Sequence, residues 1–134
     1  MTRYLLDPNV CVELLRGRVP ALFARLRSFE IDEISISSIT LAELQYGVAK
    51  SARPARHAEL LAQFCAPLAI LPFDNIAAET YGRARAELER AGMSIGPLDT
   101  LIAAHALSLG LTLVTNTERE IRRVAGLPVE NWLA

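Results

Sequence analysis

Apolar residues recur along this chain in two rhythms, and the alternation between them sets the expected architecture. Short apolar or β-branched runs fall at Tyr4-Leu5-Leu6, Glu33-Ile34-Ser35-Ile36-Ser37, Leu68-Ala69-Ile70-Leu71 and Leu111-Thr112-Leu113-Val114-Thr115. Each has the length and composition of a strand. Between them, apolar positions return at helical spacing. The pattern predicts a helix over Val10–Arg16, closed near Gly17, and another from Pro20 with Leu22, Leu26 and Phe29 at helical spacing. Further helices are expected over Leu41–Lys50, from Pro54 with Leu60, Leu61 and Phe64 turned inward, over Ile76–Ala91 behind an Asp74 cap, and over Leu98–Leu109 before Gly110. Ser38 and Thr40 are candidate caps for the Leu41–Lys50 helix, and Thr40-Leu41-Ala42-Glu43 matches a capping box. A short helix near Glu118–Val124 and an edge strand within Gly126–Glu130 complete the tail. Strands alternate with helices and no Asn-Gly hairpin signal occurs. The expectation is an α/β domain with a mostly parallel sheet.

Composition narrows this picture. A chain of 134 residues is expected to form one domain, spanning 1–134, with a substantial core. A hydrophobic fraction of 51% argues against a disordered chain. No run approaches the ~18 apolar residues of a membrane span, and Met1-Thr2-Arg3 leads into the first strand without a cleavage-site pattern. A soluble, cytoplasmic protein with no membrane partner is expected. Cys11 and Cys65 are too few and too isolated for a disulfide framework or a zinc site. A net charge of −1 provides no overall basic field, so nucleic acid would be held by local arginines, with Arg16, Arg18 and Arg119 as candidates.

Candidate chemistry lies in the acids that follow strands. Asp7-Pro8 ends the first apolar run; the proline biases Asp7 toward extended backbone and suits the first position of a helix. Asp7 is then either a helix cap or an acid facing a ligand, since ligands in open α/β sheets bind outside the carboxyl ends of the strands. Glu43 is expected in the first turn of the helix after the second strand, where the helix dipole alone favours acid. Gly47, one turn on, costs that helix roughly 1 kcal/mol against alanine and points to a need for room. Asp99 opens a helix whose remainder, through His105-Ala106, is almost wholly apolar and therefore buried; it is a cap or a member of a site. Glu120 follows the Leu111–Val114 strand and reaches the same sheet edge or open surface. Acids gathered there would repel by on the order of 4 kcal/mol per pair at ~4 Å, so they protonate in part or bind a cation. All-oxygen ligands favour Mg2+ or Mn2+, which suits phosphodiester hydrolysis. His105 reads as a satisfied core histidine and His57 as surface.

Four blocks of this chain, in order and at their spacing, resemble the PIN-domain ribonucleases, and most nearly the VapC-type toxins of bacterial toxin–antitoxin modules. They are Leu5-Leu6-Asp7-Pro8-Asn9-Val10, Ala42-Glu43-Leu44-Gln45-Tyr46-Gly47, Ile95 through Ala106, and Leu113-Val114-Thr115-Asn116. The resemblance implies a three-layer α/β/α fold, Mg2+- or Mn2+-dependent endonucleolytic cleavage of RNA, a cognate antitoxin and a homodimer. Asp7, Glu43 and Asp99 fall on the family's acidic positions, and Glu120 matches the acid after the fourth strand. Pro8 stands where the family usually has Thr or Ser, which removes a hydroxyl near the metal shell. Thr117 stands where many members have Asp or Asn, so the fourth corner rests on Glu120, aided by Asn116. The alternative is a PIN-like module that docks a partner without catalysis.

Overall fold

The computed structural model describes residues 1–133. Five strands, β1 (Tyr4–Leu6), β2 (Ile34–Ser37), β3 (Ala69–Leu71), β4 (Thr112–Val114) and β5 (Val129–Glu130), form one sheet in the order β3-β2-β1-β4-β5. Every pairing is parallel. Between the strands run α1 (Pro8–Arg16), α2 (Pro20–Arg27), α3 (Ser38–Ala49), α4 (Pro54–Cys65), α5 (Asn75–Arg90), α6 (Pro97–Leu109) and the single turn α7 (Glu118–Ile121).

The strand period of two sorts side chains between two cores. Tyr4, Leu6, Ile34, Ile36 and Val114 face one way, onto Val10, Cys11 and Leu14 of α1, Leu22 of α2, Leu44 of α3 and Leu61 of α4. Leu5, Leu113 and Val129 face the other way, onto Leu88 of α5, Ile102, Ala103 and Ala106 of α6, and Ile121 of α7. The result is a helix–sheet–helix sandwich.

The polar alternation in β2 does not produce a wet face, because both sides are covered. Ser35 and Ser37 are fully buried and satisfied instead. The Ser35 hydroxyl donates to the Tyr4 carbonyl at 2.9 Å. Ser37 Oγ accepts the Ile39 N–H at 3.0 Å and lies 2.8 Å from His105 Nδ1. His105 is itself buried, packs edge-on against Phe73, and interacts with the Pro72 carbonyl.

Three local expectations are corrected. The helix after β2 starts at Ser38 and is capped by Ser37, so Thr40 lies within its first turn rather than at a capping box. Glu43 consequently falls in the second turn, beyond the reach of the dipole argument. Leu60 is exposed, because Leu61 and Phe64 are the positions of α4 that face the core. Ala69 and Ile70 are exposed because β3 is an edge strand with only β2 beside it.

Displacement from the cap leaves the Thr40 hydroxyl buried with no hydrogen-bond partner. A buried unsatisfied polar group costs roughly 1–3 kcal/mol. Thr40→Val, which keeps the shape and removes the orphan, should therefore raise stability by about 1 kcal/mol. Chemical denaturation should show a higher midpoint at an unchanged slope; an unchanged or lower midpoint would mean that the hydroxyl is satisfied after all.

Candidate active site

Chain order reverses across the sheet at β1. From it the chain moves outward to β2 and then β3, while β4 and β5 lie on the opposite side. Helices leaving neighbouring strands on opposite faces open a crevice at the carboxyl ends, here between β1 and β4. Asp7 stands at that point.

Asp7 fulfils both readings the sequence leaves open. It is the N-cap of α1, with extended backbone (φ −79°, ψ 168°), and its Oδ1 accepts the Val10 N–H at 2.9 Å. It is also a site acid, 3% exposed, with Oδ2 accepting the Thr115 hydroxyl at 2.5 Å. Pro8 offers no hydroxyl at this point, and the one Asp7 receives comes from across the sheet. Burial pushes the Asp7 carboxyl above its ordinary value, against the pull of the Thr115 and Val10 hydrogen bonds, and the charge of Asp99 pushes it further.

Asp99 is the third residue of α6, a helix started by Pro97 and buried along Ile102–Ala106. The chain packs this helix beneath β1 and β4, so its first-turn acid is brought to the crevice mouth. It is half-buried, and its value is raised by burial and then by the charge of Glu120. Glu120, in α7, is exposed. Three of the four candidates thus form an electrostatic chain, Asp7 to Asp99 to Glu120.

Glu43 is half-buried on α3, and it is the charge of Glu120, not of Glu43, that raises Asp99. Gly47 has nothing within 4 Å of where a side chain would begin, so no neighbour in this chain demands glycine there. Among the described residues, no three acidic, histidine or cysteine side chains converge tightly enough to hold one ion. A cavity of about 630 Å3 between α5, α6 and the segment after α7 is lined by Thr80, Arg83, Leu107 and Arg123 and contains none of these acids.

Sequence patterning gives no cue to Thr115. It ends an apolar strand, and its relation to Asp7 exists only through strand register, Leu6 lying beside Val114. Asn116, by contrast, is exposed, and Arg18 is engaged by Glu13 at 2.7 Å. His105 is the satisfied core residue it was expected to be, its value lowered by burial.

A PIN domain model matches residues 4–127. The chain belongs to the PIN-domain family. This PIN domain is 40% identical, over 98% of its length and 99% of the relative's, to the tRNA(fMet)-specific endonuclease VapC of Shigella flexneri. It is 41% identical to ribonuclease VapC2 of Rickettsia felis, covering 96% of this chain and 97% of the relative. In structure it is similar to a chain of DNA-bound VapBC of Salmonella typhimurium, with a TM-score of 0.94 at 39% identity over 98% and 99% of the two chains. The corresponding values for Rickettsia felis VapBC2 bound to a promoter fragment are 0.89 and 39%, again covering 98% and 99%.

Folding raises the proton affinity of both Asp7 and Asp99. Their contribution to stability is therefore fully present below the ordinary carboxylate value and is lost as pH rises through the shifted values. Metal-free protein should lose stability on this account as pH rises above the ordinary carboxylate range. Asp99→Asn removes one of the repelling charges, so its melting temperature in EDTA should exceed that of the parent at pH 7 and converge with it near pH 4. A variant that melts lower than the parent at pH 7 would count against crowding.

Proposed function

We propose that this chain is the endoribonuclease toxin of a toxin–antitoxin pair, a single PIN domain that hydrolyses RNA phosphodiester bonds with the help of Mg2+ or Mn2+. One observation carries the reading: a buried acid, Asp7, sits at the β1–β4 crevice close enough to Asp99 for the second charge to raise the proton affinity of the first. Two carboxylates penalised by burial and by each other gain from a cation between them. The donors are all oxygen, and magnesium is commonly held by one or two carboxylates while keeping waters and taking phosphate oxygens. A site in which two acids approach and no three converge fits that habit.

Asp7 and Asp99 would hold the ion. Bound there, it supplies a more acidic water as nucleophile and offsets charge on the leaving oxygen. Glu120, exposed beside Asp99, orients the attacking water and accepts its proton, and Glu43 completes the acidic rim from α3. Arg16 and Arg119 are exposed and present guanidinium forks to flanking phosphates.

The relatives named as VapC, and the VapBC assemblies this fold matches, support an antitoxin partner for this chain. That partner and a second copy of the chain would cover apolar side chains left exposed here, among them Leu15, Phe23, Tyr46 and Ile76. Among the described residues no helix is long and apolar enough to cross a membrane; the cytoplasm, where RNA is found, is the proposed location.

The test is cleavage of structured RNA with Mn2+. Asp7→Asn and Asp99→Asn should each slow cutting by about 10²-fold or more, and EDTA should stop the parent. Glu43→Gln and Glu120→Gln should slow it less. Cleavage by Asp7→Asn at the parental rate would favour a module that binds without cutting.

A further inference from the structure

We propose that Thr115, held in turn by Thr117, is a positioning pair that fixes the orientation of the Asp7 carboxylate; the proposal rests on the reading of Asp7 as an acid that holds a divalent ion. Strand register creates the contact. Tyr4, Leu5 and Leu6 lie beside Thr112, Leu113 and Val114, so the next residues, Asp7 and Thr115, face each other across the two carboxyl ends. The main chain of this pair is clamped as well. Asp7 N–H donates to the Val114 carbonyl at 3.0 Å, and Thr115 N–H donates to the Glu130 carbonyl of β5 at 3.0 Å.

The direction of every proton in the relay follows from chemistry. An ionised carboxylate only accepts, so Thr115 Oγ1 donates to Asp7 Oδ2. With its single proton used, Thr115 Oγ1 accepts from both neighbours it touches, the Thr117 N–H at 3.0 Å and the Thr117 hydroxyl at 3.0 Å. The order is Thr117 to Thr115 to Asp7. Two donors on Oγ1 settle the Thr115 rotamer, and the fully buried side chain has no water to turn toward.

At the carboxylate the relay meets a second, independent donor. Val10 N–H holds Oδ1 at 2.9 Å while Thr115 holds Oδ2. The terminal torsion of an aspartate is broad and roughly two-fold, so one donor would leave the group free to swing. Donors on both oxygens pin its plane, and the lone pairs they do not use remain for the crevice. Partners that orient ligating carboxylates typically matter by 10–100-fold in metal affinity. Thr115 and Thr117 touch no reacting atom in this scheme and act only through Asp7.

The experiment measures Mn2+ binding to the folded chain without RNA, by water-proton relaxation, alongside the NMR signal of the Thr115 hydroxyl proton in metal-free protein. The parent should show that proton as a slowly exchanging resonance. Thr115→Val, which keeps the shape and loses the donor, should weaken Mn2+ binding about tenfold or more. Thr115→Ser should restore it to within about threefold, and Thr117→Val, which keeps the N–H and loses the hydroxyl, should fall between them. A merely structural threonine would lower the melting temperature of Thr115→Val and leave Mn2+ affinity where it was, and that result overturns the proposal. So does a parent that binds Mn2+ but shows no protected hydroxyl. A parent that shows the hydroxyl but binds no Mn2+ overturns the metal reading and leaves the relay standing. Should Thr115→Val fail to fold, the Ser and Thr117→Val variants still decide the matter, since equal affinity in parent and Thr117→Val excludes the relay's outer half.

Discussion

The arrangement depends on one constraint: β1 and β4 run parallel, in a register that leaves a buried carboxylate at the end of one beside a buried hydroxyl at the end of the other. A slip of two residues would keep the apolar faces intact and still destroy the site, because Asp7 would then face a strand interior with nothing to donate. A slip of one would exchange the two core faces of β4, sending each side chain into the wrong helical layer. The hydrophobic sorting of Leu113 and Val114 onto opposite helical layers thus enforces the register that the polar contact uses. Packing and chemistry are selected by the same alignment.

Burying a carboxylate is expensive unless its oxygens are met by donors. Asp7 meets that condition with groups the fold has to place there anyway. The Val10 N–H is one of the donors a helix start leaves free, and Pro8 at the first helical position directs that start toward Asp7. The hydroxyl comes from a strand end, where the backbone ladder stops and a side chain can turn inward. These bonds lower the proton affinity of Asp7, yet burial outweighs them and the net shift remains upward. The acid is therefore well anchored and still unfavourably charged, a condition that a cation relieves and that no side chain among its contacts removes.

Much of this was legible along the chain. Strand–proline–helix junctions, the Gly17 and Gly110 helix ends and the apolar run behind Asp99 all follow from local rules, and they place Asp7 and Asp99 at one rim. What local rules missed were contacts across elements. Thr40-Leu41-Ala42-Glu43 has the letters of a capping box, but Ser37 reaches the helix start first because Ser38 is already helical. Burial of both faces of β2 is a property of the three-layer stack, so alternation there misleads. Thr115 lies in the Leu113-Val114-Thr115-Asn116 block, but no local rule marks its hydroxyl, since its meaning lies in a neighbour 108 residues away.

The other acids depend on how rigidly α3 and α6 are held relative to one another, and His105 supplies that link. Ser37 Oγ accepts the Ile39 N–H and lies 2.8 Å from His105 Nδ1, and the Pro72 carbonyl acts on the same imidazole. One ring therefore ties the start of α3 and the turn after β3 to the middle of α6. Phe73 closes the same knot twice, by its ring against His105 and by its N–H to the Ser38 hydroxyl at 3.0 Å. Burial disfavours the charged form of the imidazole. The histidine takes no part in the proposed chemistry, and its position nevertheless fixes the helix that carries Glu43 against the helix that carries Asp99.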